Sequence, residues 1–196
     1  MPSIIAGIDE AGRGPLAGPV VAAACILPAN TPIPSFIKDS KALEPKKREE
    51  AFLWIQAHCT VGIGLSPAHY IDQYGILAAT ERAMQRAVKM LALSKNPTYL
   101  LIDGRDKFWF DYPHSSIIKG DALEPCISAA SIVAKVTRDH MMRKADKMYP
   151  GYGFMGHKGY GSEKHMEAIA SLGLCPIHRR SFCANALAPC PSPLRY

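Results

Sequence analysis

The sequence predicts a single α/β or mixed α+β domain with a central sheet and helices between its strands. Short apolar stretches rich in β-branched residues alternate along the chain with longer helical patterns. No period of about 20 to 50 residues recurs, which excludes a repeat architecture. The 196 residues, of which 48% are hydrophobic, are enough for one substantial core.

Five stretches are predicted to form strands. Residues 3–9 and 20–27 are apolar and bounded by turn formers, which is typical of buried strands. Residues 60–65 alternate in polarity and indicate a half-exposed strand. Residues 99–102 form a short apolar run that ends at Asp103, and residues 115–118 are a further candidate.

Four helices are predicted in the intervals between and after these strands. Residues 45–57 begin with Pro45, whose missing N–H group is harmless in a first turn. Residues 77–93 are rich in Ala, Met, Leu and Arg, and residues 127–148 carry a broad apolar stripe. A last helix is expected over residues 162–172, with Ser162 as N-cap and Gly173 as the stop.

The only plausible domain boundary is the glycine-rich link at residues 151–161. We expect residues 1–160 to form the main domain. Residues 161–196 are too few for an independent core, so we expect a small helical extension packed on the same body.

Charge points to an anionic partner. The chain has 23 Lys and Arg against 17 Asp and Glu, a formal net charge of +6, so a polyanion such as nucleic acid is a plausible partner. The N-terminus has no basic start and carries acids at positions 9 and 10, which argues against a signal peptide. The longest uncharged stretch, residues 14–37, contains five prolines and cannot span a bilayer. We therefore expect a cytoplasmic protein.

The six cysteines include no C-x-x-C pair and are expected to be reduced thiols. Cys175, His178, Cys183 and Cys190 form a loose series near the end of the chain. Their spacing matches no familiar zinc pattern.

Carboxylates follow two of the predicted strands. Asp9 and Asp103 each end an apolar run and are followed by glycine within three residues, so two neighbouring strands are predicted to present both to one cleft. Glu10 should point to the opposite face, because side chains alternate along a strand. It can serve the same centre only if the strand bends or the longer side chain reaches round.

Asp121 and Asp139 are further candidates. Asp121 precedes a predicted helix, where the dipole alone favours a carboxylate, so its position fits a structural role as well as a site role. Asp139 lies 18 residues further on, roughly 27 Å along a continuous helix, which is too far to share a metal pair with Asp121. A surface ion pair with Arg138 or Arg143 explains Asp139 better.

Carboxylates without a nearby Cys and His ligand set suit Mg²⁺ or Mn²⁺ better than zinc. Two such ions can support phosphodiester hydrolysis. The basic surface then has a partner, because the substrate backbone is the polyanion.

The chain resembles the bacterial ribonuclease HII family, the type 2 ribonucleases H. Motifs occur over most of its length in the family's order. They are GIDEAGRGPLAGPV (7–20), DSKAL (39–43), LIDG (101–104), KGDA (119–122), SAASIVAKVTRD (128–139), HKGYG (157–161) and HRRSF (178–182). The resemblance implies a ribonuclease H-like α/β fold, with a central mixed sheet flanked by helices and a small C-terminal helical extension. Residues 1–160 would then be the catalytic domain.

The resemblance also implies an activity. The family cleaves the RNA strand of RNA/DNA hybrids and cuts 5′ of single ribonucleotides in duplex DNA, leaving 3′-hydroxyl and 5′-phosphate ends. The partner is therefore nucleic acid, and the expected protein is a monomer with no obligate protein partner. The family's metal-binding carboxylates, which hold Mg²⁺ or Mn²⁺, fall on Asp9, Glu10, Asp103 and Asp121.

The family's Gly-Arg-Gly element, which contacts the ribose 2′-hydroxyl, falls on Gly12, Arg13 and Gly14. Its junction tyrosine falls on Tyr160, although a tyrosine in a glycine-rich loop is by itself more typical of a surface or core aromatic. Further phosphate contacts are expected from position and charge, with ordinary surface roles an open alternative, at Ser40, Lys41, His157 and Lys158. Ala42 stands where the family more often has a second lysine.

Three alternatives remain. The ribonuclease HIII branch usually has an extra N-terminal domain and lacks the Gly-Arg-Gly element, whereas Arg13 is present here. A ribonuclease H-like nuclease acting on DNA, such as a junction resolvase, would need no 2′-hydroxyl contact. A nucleic-acid-binding module with structural acids would not cleave at all.

Overall fold

The structure, a computed structural model, describes residues 3–29, 32–39 and 43–184. One mixed sheet has the order β3-β2-β1-β4-β5, with β2 antiparallel to β1 and β3, and β4 parallel to β1 and β5. Each strand lies within two residues of its prediction. The strands are β1 (Ile5–Ala11), β2 (Val20–Ile26), β3 (Thr60–Ser66), β4 (Tyr99–Asp103) and β5 (His114–Ile117).

The predicted helices are present, but one is longer than predicted and two short ones were not predicted. The helices are α1 (Pro45–His58), α2 (Ala68–Ala92), α3 (Gly120–Leu123), α4 (Pro125–Met148), α5 (Phe154–His157) and α6 (Glu163–Leu172), with a 3₁₀ turn at Ser35–Asp39. Helix α2 begins at Ala68 rather than at residue 77, because two helical segments join across a kink at Gly75, where φ is +81°. The cap of α6 is as predicted, since Ser162 accepts a hydrogen bond from the His165 N–H.

Helices cover both faces of the sheet. Helix α2 packs on the face that carries Ile8 and Ile102, and α1 and α4 pack on the face that carries Ala23. At Gly7, the start of α4 lies directly against β1, because a Cβ atom there would overlap the backbone of Cys126 and Ile127. This close approach places α4 beside the carboxyl end of β1.

The chain after α6 returns to the loop that joins β1 to β2. Ala17 and His178 form a β-bridge, Gly18 N–H donates to Ile177 O at 2.9 Å, and Arg179 N–H donates to Leu16 O at 2.8 Å. The last described residues are therefore held against the loop that follows the Asp9–Glu10 pair. The boundary at residue 160 stays a prediction.

No helix in the described ranges is long and apolar enough to cross a membrane. The five cysteines in the same ranges are all free thiols. Cys190 lies outside the described residues.

Candidate active site

Asp9 and Asp103 lie side by side at the carboxyl ends of two parallel strands. Ile8 pairs with Ile102 in the β1–β4 ladder, so the following residues occupy neighbouring positions. Asp9 is opposite Ala23 in the β1–β2 ladder and therefore faces α4, where its side chain hydrogen-bonds to Ser131. The edge formed by two parallel strands explains why the two carboxylates meet.

Glu10 reaches the same place without a bend in the strand. The ladder continues through Glu10 opposite Ala22 and Ala11 opposite Val21, so β1 ends two residues beyond Asp9. Glu10 therefore starts on the α2 face, yet its carboxyl group interacts with those of Asp9 and Asp103. The longer side chain, rather than a bend, brings Glu10 to the centre.

Asp121 approaches from the other side of Asp103. It lies in α3, just before α4, and its backbone N–H donates to Asp103 Oδ1 at 3.3 Å. Asp121 is 2% exposed. Lys119, in the left-handed conformation with φ +58°, turns the chain from β5 into α3. The structure thus brings the carboxyl groups of Asp9, Glu10 and Asp103 near one another and places the backbone of Asp121 beside Asp103.

Burial and mutual repulsion dominate the electrostatics of this group. Burial, followed by the negative charges of Glu10 and Asp103, raises the pKa of Asp9 well above its usual value. Burial also raises the pKa of Glu10, against the opposing effect of Arg13. Without a cation, these effects therefore favour the protonated forms of Asp9 and Glu10.

Within the described residues, these acids lie near one another without forming a closed metal site. Within residues 3–29, 32–39 and 43–184, no three His, Cys, Asp or Glu side chains already converge as a preformed metal cage. The four acids nevertheless offer only oxygen donors, which suits Mg²⁺ or Mn²⁺. A divalent cation would offset the repulsion that raises the pKa of Asp9.

The Gly-Arg-Gly element begins where β1 ends. Gly12 has φ +95°, a backbone conformation that glycine adopts more readily than other residues, and it turns the chain out of the sheet. The Arg13 guanidinium donates from Nη1 to Asp106 Oδ2 at 2.7 Å and to Glu10 Oε1 at 3.3 Å. These two hydrogen bonds hold Arg13 at the edge of the cluster of acidic side chains.

Tyr160 lies across from this element. Its side chain is 48% exposed, and its ring carbon lies 3.8 Å from the position that a Cβ atom on Gly14 would take. The Tyr160 carbonyl oxygen accepts a hydrogen bond from Nδ1 of buried His165 at 2.9 Å. The backbone of Tyr160 is fixed while its ring projects beside the Gly-Arg-Gly element.

Asp121 lines a separate cavity of about 160 Å³, whereas a cleft of about 320 Å³ runs from Glu10 and Gly12 to Tyr160. Sequence reasoning assigned no site role to Arg48, Ser131 and Lys135, which also line it. Arg48 donates to Leu43 O at 2.6 Å, and Lys135 pairs with Asp139 at 2.9 Å. Ser131 and Lys135 lie within the motif at residues 128–139, and that membership is a signal that could have indicated them. Arg48 carries no such signal.

The remaining predicted contacts differ in placement. Ser40 and Lys41 lie outside the described residues. His157 has both ring nitrogens in internal hydrogen bonds, to Tyr152 O at 2.8 Å and from Gly159 N–H at 3.1 Å. Lys158 hydrogen-bonds to Met155 O through Nζ. Asp139 forms an ion pair, as predicted, but with Lys135 rather than with Arg138 or Arg143.

A mixed five-stranded sheet flanked by helices is the architecture of the ribonuclease H-like proteins. A family model described as Ribonuclease HII matches residues 6–185. A ribonuclease HII from Geotalea uraniireducens (strain Rf4) is 55% identical over 179 residues, or 91% of this chain and 82% of that protein. The chain belongs to the ribonuclease HII family.

Solved structures of ribonucleases H of this type also match the chain. The ribonuclease H2 from Pyrococcus horikoshii OT3 matches with a TM-score of 0.74 and 27% identity, covering 90% of this chain and 92% of that one. The ribonuclease HII of Archaeoglobus fulgidus, solved in a complex with PCNA, matches with a TM-score of 0.70 and 25% identity over 90% and 93% of the chains. A Bst-RNase HIII in complex with Mn²⁺ shares the fold, at 16% identity and a TM-score of 0.64 over 92% and 64%.

Family membership defines the enzyme class. The protein is an endoribonuclease, a ribonuclease H of type 2, that cleaves the RNA strand of RNA/DNA hybrids.

Proposed function

We propose that this enzyme also cuts on the 5′ side of single ribonucleotides embedded in duplex DNA, leaving 3′-hydroxyl and 5′-phosphate ends. Such a cut initiates removal of the ribonucleotide. The observation that carries the proposal is the direct connection of Glu10, through Ala11, to the Gly-Arg-Gly element, in which Arg13 is partly exposed and Gly14 is exposed. An element that would contact the sugar therefore lies next to the carboxylates.

Ribonucleases H depend on divalent metal ions. We propose that Asp9, Glu10, Asp103 and Asp121 hold two Mg²⁺ or Mn²⁺ ions. When bound, such ions activate water and stabilise the entering and leaving oxygens of a phosphodiester. The protein fixes the positions of these acids through the β1–β4 ladder and the bond from Asp121 N–H to Asp103.

The Gly-Arg-Gly element would contact the ribose. The 2′-hydroxyl is the group that distinguishes RNA from DNA at a given position. Gly14 is exposed and has no side chain, so its backbone can approach the sugar, whereas the missing side chain at Gly12 makes room for Arg138. Tyr160, beside Gly14, would pack against the following deoxyribose with its half-exposed ring.

Cations around the cleft would bind the phosphate backbone. Arg13, Arg48 and Lys135 all lie at the cleft or its edge. Arg13 suits a phosphate because its guanidinium presents several donors in a fixed plane. We propose the same role for Ser40, Lys41 and Lys158. His157 would act instead through the backbone of the loop, since its ring nitrogens are both engaged.

Replacement of one carboxylate tests the catalytic assignment. Asp103→Asn keeps the size of the side chain and removes its charge, so we expect cleavage of an RNA/DNA hybrid in Mg²⁺ to fall at least about 100-fold. Asp111→Asn, at an exposed position after β4, is the matched control and should cleave normally. EDTA should abolish cleavage by the wild type. Full activity of Asp103→Asn, or cleavage without metal, would refute the assignment.

A further inference from the structure

Two fully buried arginines lie beneath the loop of residues 12–19, and the function proposed above uses neither. Arg138, in α4, is 1% exposed, and Arg179, after α6, is 0% exposed. Burying a guanidinium group is costly unless its donors are satisfied. In the described residues, all the hydrogen bonds of both groups go to backbone carbonyl oxygens, six in total.

The two arginines hold different parts of the loop. Arg138 donates to Ala17 O at 3.1 Å, Pro19 O at 3.0 Å and Lys158 O at 3.0 Å. Arg179 donates to Gly12 O at 2.5 Å, Arg13 O at 2.8 Å and Gly18 O at 3.0 Å. Only Arg179 therefore binds carbonyls of the Gly-Arg-Gly element itself.

The contact with Arg179 fixes the direction of two backbone N–H groups in the loop. In a planar trans peptide, the C=O and the following N–H point in opposite directions. Because the carbonyls of Gly12 and Arg13 point at Arg179, the N–H groups of Arg13 and Gly14 point away from it. Neither N–H donates to any residue in the described ranges. Both are therefore available to a ligand on the outer side of the loop.

The segment that carries Arg179 is itself fixed. Asp72 in α2 accepts hydrogen bonds from Arg180 N–H and Ser181 N–H, each at 3.0 Å, and from Ser181 Oγ at 2.6 Å. Burial, and then repulsion from Arg138, lower the pKa of Arg179 to about 9. Arg179 is thus still protonated at neutral pH and can make all three hydrogen bonds to the loop carbonyls.

We infer that Arg179 is a positioning residue for ribonucleotide recognition. Through the carbonyls of Gly12 and Arg13, it directs the N–H groups of Arg13 and Gly14 toward the sugar and its 2′-hydroxyl. The inference rests on the proposed function, because it concerns how the Gly-Arg-Gly element distinguishes ribose from deoxyribose.

Matched Arg→Lys substitutions test this role. A lysine keeps the charge but lacks the planar fork that reaches three carbonyls. Kd values should be measured in Ca²⁺, without cleavage, for one duplex containing a single ribonucleotide and for the same duplex in all-DNA form. We expect Arg179→Lys to reduce the wild-type preference at least about 10-fold, while Arg138→Lys, equally buried, should keep it within about twofold.

These measurements distinguish failure of the inference about Arg179 from failure of the proposed function. A folded Arg179→Lys protein with the wild-type preference overturns the inference and leaves the proposed function intact. A wild type that shows no preference contradicts the proposed function and the inference with it. If Arg179→Lys does not fold, amide hydrogen exchange of the wild type decides. Arg13 and Gly14 should be protected by the ribonucleotide duplex and not by the all-DNA duplex; equal protection by both would overturn the inference.

Discussion

The guanidinium group of Arg138 occupies the space that a side chain at Gly12 would need. A Cβ atom on Gly12 would overlap Nε of Arg138, and φ at Gly12 is +95°. We predict that Gly12→Ala lowers the free energy of unfolding by about 2–4 kcal/mol, through overlap and backbone strain together. Urea denaturation followed by circular dichroism measures the change.

Gly75 provides the control for backbone strain alone. Its φ is +81°, but a Cβ atom there would meet nothing within 4 Å. Gly75→Ala should therefore cost only about 1–2 kcal/mol. Equal losses for the two variants would show that contact with Arg138 does not constrain position 12.

Acid should weaken the histidine pair that supports Tyr160. Cys175 N–H donates to Nδ1 of His178, so neutral His178 donates from Nε2 to Nε2 of His165 at 3.0 Å, and His165 donates from Nδ1 to Tyr160 O. Protonation of either ring would place two N–H groups head to head. Burial lowers the pKa of His165 to about 4 and also lowers that of His178.

The direction of the pH effect follows from this shift. The unfolded chain takes up a proton at His165 near pH 6.5, whereas the folded chain does so only near pH 4, so stability is lost as pH falls between these values. The loss from this group is at most about 3 kcal/mol. We predict that His165→Gln loses less unfolding free energy between pH 7 and pH 5 than the wild type does. His69→Gln, at an exposed position, should behave as wild type; an unchanged pH dependence in His165→Gln would contradict the account.

Asp9 should destabilise the metal-free protein at neutral pH. Its folded pKa is raised, so ionised Asp9 disfavours the folded state above that pKa, and stability rises as pH falls through it. We predict that Asp9→Asn increases the free energy of unfolding, measured in EDTA at pH 8, by about 1 kcal/mol. The same substitution should abolish cleavage in Mg²⁺. The gain should shrink in Mg²⁺. A less stable Asp9→Asn protein would refute the prediction.

Tyr160 should contribute through its ring rather than its hydroxyl group. The ring projects beside Gly14 with its backbone held by His165. Stacking of an aromatic ring on a base is worth about 1–3 kcal/mol, and we expect packing against a sugar to lie at the lower end, so Tyr160→Ala should raise KM for a single-ribonucleotide duplex about 10-fold. Tyr160→Phe should stay close to wild type. Steady-state kinetics of both variants decide, and an unaffected Tyr160→Ala would exclude the contact.

The sheet was predictable because its strands are short, apolar and bounded by turn formers. The first part of α2 was missed because Gly75 interrupts the helical pattern in the sequence, although the structure joins the two segments across its kink. Helices α3 and α5 have four residues each, which is too short for a periodic pattern. Local sequence signals therefore account for the long elements and not for these.

The carboxylates could be located from sequence because Asp9 and Asp103 follow adjacent strands. Whether Glu10 reaches the same centre as Asp9 could be answered only from the structure, because alternation along the strand alone places its side chain on the opposite face of the sheet. The roles of Arg138 and Arg179 depend on partners more than 100 positions away, 121 for Arg138 to Ala17 and 167 for Arg179 to Gly12. Neither helical spacing nor charge patterning reports such contacts. Arg138 was for that reason predicted as a partner of Asp139.

Cleavage of a duplex with one embedded ribonucleotide tests the central claim most directly. Wild-type protein in Mg²⁺ or Mn²⁺ should cut once, 5′ of the ribonucleotide, and leave 3′-hydroxyl and 5′-phosphate ends, while the all-DNA duplex of the same sequence stays intact. Sizing the labelled strand and testing its ends for ligation identify both features. Cleavage of the all-DNA duplex at a similar rate, or an intact ribonucleotide duplex under conditions where the enzyme cleaves an RNA/DNA hybrid, would contradict the account.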